Sequence, residues 1–164
     1  MATTMIKATA RTIRELLDGQ RVLTLAVIAD GMPFAGLLPF VPLPDYASVL
    51  VHASRISRHG AALAAGGRAS ILLHEQDGPE KDPLQLRRAT FDCDIRGLER
   101  QGEEWQAGRE LYLTRFPDSR ITFRLGDFTL YRLGFREGLF VGGFGRAVEI
   151  PPRDIPKIAT LGVA

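Results

Sequence analysis

One cysteine, one tryptophan and three histidines are all that 164 residues carry of those types. With Cys93 alone, an intrachain disulfide and a cysteine-based zinc site are both excluded, and a reducing cytoplasm is the expected home. No apolar run approaches the roughly 20 residues of a membrane-crossing helix. The opening MATTMIKATARTIREL lacks the unbroken apolar core of a signal peptide, so no membrane partner is expected. His52, His59 and His74 show no i, i+4 pairing and no carboxylate arrangement of zinc-site type. No G-x-S-x-G elbow is present. The net charge of +2 is carried by 18 Arg and 3 Lys against 19 acids, without a basic stripe, and no nucleic-acid partner is expected. The glycine-rich LFVGGFGRAVEI (139–150) lacks the third glycine of a dinucleotide fingerprint, and the prolines after it forbid a helix.

What is present reads as one domain of short strands joined by tight turns. Thr3 and Thr4 are candidate caps for a helix over 4–17 with Ile6, Ile13, Leu16 and Leu17 on one face, ending near Gly19. VLTLAVIA and PFAGLLPFV flank Asp30-Gly31, the favoured turn pair of a β-hairpin. Strands follow at 48–53 and 68–75, with a short helix between them from a Ser57 cap to Gly66/Gly67. Ala89, Phe91, Cys93 and Ile95 alternate with Thr90, Asp92, Asp94 and Arg96, a strand with one buried and one wet face. A helix over 103–116 and a closing hairpin, FTLYRLGF and LFVGGFGRAVEI joined by REG, complete the chain. The expected fold is mainly β: a six- to seven-stranded antiparallel barrel over about 20–150, an N-terminal helix over 1–18 and a tail over 151–164. Within it the glycines of VGGFGRA mark a backbone bend before they mark a ligand contact.

HASRISRHGAAL (52–63) carries the chemistry. A strand ends at Ser54 and a helix starts near Ser57, with Arg55, Arg58 and His59 between and just inside. Free N–H groups at a helix start, two arginine forks and two hydroxyls suit a phosphate. No acid–base pair or nucleophile accompanies them. Asp92 and Asp94 read as a wet sheet face, and His52 and His74 as packing residues. That combination favours a protein whose cofactor carries the reaction.

SRISRHGAAL, RASILL, DPLQLRRAT, RFPDS and LGDFTLYRL…LFVGGFGRA together resemble the pyridoxamine 5′-phosphate oxidase-like family, in the branch that includes haem-utilisation proteins. The resemblance covers roughly residues 10–150. It implies an FMN-binding split barrel that dimerises, with the cofactor in clefts between subunits and a small molecule as substrate. Carried over, Ser54 contacts the phosphate or ribityl chain, with Arg55 and Ser57 beside it and Arg58 and His59 at the helix start. Backbone around Leu37 and Leu38 lies against the flavin ring. Arg88 matches an arginine after DPL, and GGFGRA is a barrel strand near the cofactor or the dimer interface. The chain departs from the family where His-Thr-Lys/Arg-Asn-Leu is usual: His59-Gly60-Ala61-Ala62-Leu63 lacks the hydroxyl, the cation and the amide. Gly36 likewise replaces a strand serine. The leading expectation is an FMN-dependent oxidoreductase. The alternatives are a haem-binding protein, which needs one of the three histidines as ligand, and a cofactor-free structural or regulatory barrel.

Overall fold

The computed structural model describes residues 5–162. Its strands are β1 Val22–Ala29, β2 Met32–Pro42, β3 Ser48–Ser54, β4 Gly67–His74, β5 Arg88–Gly97, β6 Phe128–Val141 and β7 Ala147–Ile150. Its helices are α1 Lys7–Gly19, α2 Arg58–Ala65, α3 Glu103–Arg115 and α4 Lys157–Leu161. All pairings are antiparallel, in the order β3-β2-β1-β4-β5-β6-β7, and β3 also pairs with β6. Six strands thereby close into a barrel without free edges. β7 lies outside it, on the stretch of β6 that runs on beyond the last β3 pair, Ser48 with Gly134.

The β1–β2 hairpin forms where Asp30-Gly31 predicts it. Both residues have positive φ, 54° and 73°, as a two-residue turn matching the strand twist requires. The expected closing hairpin does not form at REG. β6 runs straight through residues 136–138, and Arg136 is the extra residue of a bulge between the Asp92–Glu137 and Cys93–Phe135 pairs. Gly138 is no turn residue: a Cβ there would lie 2.6 Å from the Thr90 carbonyl oxygen, so it lets β5 approach. The chain turns instead at 142–146, where Gly143 and Gly145 have φ of 127° and 73°. GGFGRA is therefore the turn between β6 and β7, with only its last residue in a strand.

Leu23, Leu25, Phe40, Val49, Val51, Ile71, Phe91, Cys93 and Leu133 fill the barrel. α1 buries Thr9, Ala10, Ile13, Leu16 and Leu17. Ile6 precedes the first helical residue in extended backbone and turns outward, 59% exposed, against the expectation from its spacing. The Thr3/Thr4 cap lies outside the described residues. Residues 151–162 form a short 3-10 turn and α4, which packs on α1 through buried Ile155 and Ile158 rather than trailing as a tail. A second core, Val41, Leu50, Leu98, Tyr112, Phe123 and Leu130, joins α3 to the outer face of β3 and β6. No described helix is long and apolar enough to cross a membrane.

Candidate functional site

β3 and α2 are joined by the loop at 55–57, and α2 lies against β1, β2, β3 and β5 at one mouth of the barrel. The helix starts there because Ser57 is its N-cap. The Ser57 hydroxyl accepts the Gly60 N–H at 3.1 Å, and its own proton goes to the Ser54 carbonyl at 2.7 Å. The same oxygen lies 3.2 Å from His59 Nε2. With its proton already donated, Ser57 can only accept from His59, which assigns the imidazole proton to Nε2 and leaves a lone pair on Nδ1. A Cβ on Gly36 would stand 3.6 Å from that nitrogen. The ring lies nearly parallel to Phe34, with centroids 6.5 Å apart, and burial lowers its pKa, favouring neutral imidazole.

Arg58 crosses the same Phe34 ring at 4.8 Å and reaches Asp30 of the hairpin turn at 3.7 Å. Both ends of that ion pair are exposed, so it holds Arg58 only weakly. The other expected anion contacts are committed. Ser54 donates its hydroxyl proton to the Asp127 carboxylate. Arg55 is turned onto backbone: Nη2 donates to the Gly126 carbonyl at 3.0 Å and Nε to that of Asp127 at 3.4 Å. Leu37 points outward at 68% exposure, whereas Leu38 is buried in the barrel.

Arg88 is not part of this cluster within one chain. It pairs with Val141 at the end of β6, whereas Ser54 pairs with Phe128 at its start, on the order of 40 Å away along the strand. Arg88 Nη1 donates to the Leu86 carbonyl, and its cross-strand partner is His74. Ser54, Ser57, Arg58 and His59 thus sit at one mouth with Arg55 turned aside, and Arg88 sits at the other.

The remaining histidines differ sharply. His52 is buried, stacked on Phe123 at 3.9 Å and edge-on to Tyr112, with Nδ1 3.3 Å from the Thr122 hydroxyl. Burial and the Arg100 charge lower its pKa to about 4. It is a packing residue, as its strand position predicts. His74 is exposed, with Nδ1 2.7 Å from the Glu75 carbonyl. Cys93 is fully buried, and desolvation raises its thiol pKa, with the Asp92 and Asp94 charges adding to the effect. Asp92 receives the Ser70 hydroxyl on the outward sheet face.

Sequence reasoning missed Asp127, Asp30 and Phe34. Asp127 lies within the LGDFTLYRL stretch, but nothing local announces that it meets Ser54, 73 positions away.

A closed antiparallel barrel with one mouth covered by a serine-capped helix defines a split-barrel protein. No protein-family model matches the chain. The heme oxygenase HutZ of Vibrio cholerae is 32% identical over 145 residues, covering 87% of this chain and 81% of that protein. The structure of a heme binding protein from Mycobacterium smegmatis superposes with a TM-score of 0.80 at 26% identity over 91% of this chain, which spans only 60% of that one. A Clostridium acetobutylicum protein of the pyridoxinephosphate oxidase family, related to general stress protein 26, shares the fold with a TM-score of 0.68 over 92% of this chain and 99% of its own, at 12% identity. The chain belongs to the pyridoxamine 5′-phosphate oxidase-like split-barrel family, in its haem-utilisation branch.

Proposed function

We propose that this chain is a haem-binding member of its branch, with His59 as the iron ligand and Arg58 as a partner for a haem carboxylate. The observation that carries the reading is the donor set at the mouth covered by α2. A neutral imidazole there keeps an unshared lone pair, beside a weakly held guanidinium, while the hydroxyl and the second arginine are spent on protein groups. Imidazole nitrogen is a normal iron ligand, and its opposite N–H is fixed here by Ser57 as such ligands require. The 32% identity to a protein named as a heme oxygenase supports the same reading. Haem, when bound, supplies iron-centred oxygen and redox chemistry. The chain supplies the imidazole, keeps it in one tautomer through Ser57, and orients it against Phe34.

A flavin is the second reading, and the FMN-dependent oxidoreductase expectation rests on it. The Arg58 and His59 N–H groups lie in the first turn of α2, where the helix offers them no partner, and such groups suit a phosphate. The second copy expected of the family has a fitting surface: Leu37, Thr24, Leu72, Thr90 and Leu139 form one cross-strand row on the outward face of five strands. Leu37 and Leu139 in it are 68% and 41% exposed, and we infer that a homodimer covers them.

Titrating the purified chain separately with haemin and FMN tests the reading. A shifted haem absorption band saturating at one equivalent, with no flavin bands surviving dialysis, is expected. Persistent flavin bands would select the second reading, and no response to either ligand would leave a cofactor-free barrel.

A further inference from the structure

The Ser54–Asp127 contact has a consequence for which ligands the mouth admits. Asp127 stands immediately before β6, where the chain meets the end of β3. Its carboxylate takes the only proton of the Ser54 hydroxyl. Its backbone carbonyl takes the Arg55 N–H at 2.8 Å and Arg55 Nε at 3.4 Å. Asp127 thus commits the Ser54 hydroxyl and, together with the Gly126 carbonyl that takes Arg55 Nη2 at 3.0 Å, turns the Arg55 guanidinium away from an anion. It also places a negative charge beside the loop leading into α2. Among the described residues no cation forms an ion pair with that carboxylate; the Arg55 guanidinium beside it is turned onto the Gly126 and Asp127 backbone carbonyls.

Like charges in a partly desolvated site repel strongly, and a phosphate monoester brings nearly two negative charges at neutral pH. The ligands that tolerate Asp127 are those that enter through the imidazole and Arg58 and leave Ser54 alone. We propose that Asp127 is a specificity-determining residue that excludes phosphate-bearing ligands from the barrel mouth. This inference rests on the reading that residues 54–59 form the ligand-binding end of the chain.

The test is the affinity of the full chain for FMN, read by quenching of flavin fluorescence, and for inorganic phosphate, read by NMR shifts of the Arg58 and His59 amides. Asp127→Asn and Asp127→Ala are expected to bind FMN at least about tenfold more tightly than the unaltered chain, a change of about 1.4 kcal/mol. Asp127→Glu, which keeps the charge, is expected to keep the exclusion. Ser54→Ala is expected to change FMN affinity by less than about twofold, because its hydroxyl is already spent. Folded Asp127→Asn protein with unchanged or weaker FMN affinity would overturn the proposal. So would a tenfold loss in Ser54→Ala, which would show that Ser54 is free to hold phosphate. These readouts use no haem, so a failed haem titration and a failed gain of FMN affinity are separate results.

Discussion

Gly60 packs against the Ser54 carbonyl at the barrel mouth: a Cβ on Gly60 would come within 1.9 Å of that oxygen. The family's usual hydroxyl residue therefore cannot occupy position 60 while α2 lies where it does. Gly60→Ala is expected to destabilise the chain by about 1–3 kcal/mol through backbone displacement. Urea unfolding measures it. A neutral or stabilising Gly60→Ala would mean that α2 does not lie this close to β3.

Ser57 has three contacts on one hydroxyl, and they make different predictions for two variants. Ser57→Ala loses the cap and is expected to cost about 1 kcal/mol, whereas Ser57→Thr retains most of it. The tautomer responds as well. Nitrogen chemical shifts of His59 are expected to show Nε2–H in the unaltered chain and a mixture in Ser57→Ala.

The buried His52 makes stability depend on pH with a definite sign. Its pKa falls from 6.5 in the unfolded chain to about 4 in the fold, so the unfolded state binds more protons between those values. The stabilisation is present in full above pH 6.5 and is lost as pH falls toward 4. Between pH 7 and pH 5 the loss from this group is about 2 kcal/mol. The urea midpoint at the two pH values checks it. His52→Phe is expected to flatten most of the slope, with the remainder shared by His59, Glu75 and Glu104, whose pKa values are also lowered.

The outward leucine row predicts the assembly state. Leu37→Asp, which puts a charge on the most exposed member, is expected to convert a dimer to a monomer in sedimentation without loss of the far-ultraviolet signal. An unaltered chain that already sediments as a monomer would remove the interface.

Local chemistry was legible in the sequence, and contacts between distant elements were not. Asp30-Gly31 announces its turn because both residues tolerate positive φ. The β5 alternation and the Ser57 cap are likewise set within a few residues. Gly138 misleads because glycine serves both turns and close strand approach, and only the position of Thr90 on the neighbouring strand decides between them. The loop at 54–59 was found by its residue types. Its state was not, since Asp127 takes the Ser54 hydroxyl from 73 positions away. Arg88 shares a family pattern with that loop, yet the register of β6 puts it at the opposite mouth.

In the proposed haem site His59 Nδ1 is the iron ligand. The direct measurement is the visible absorption of haem added to the unaltered chain, to His59→Ala and to His74→Ala, each with and without free imidazole. A ligated-haem spectrum is expected for the unaltered chain and His74→Ala, with its loss in His59→Ala and its return there with imidazole. An unchanged spectrum in His59→Ala, or a loss confined to His74→Ala, would contradict that ligand assignment.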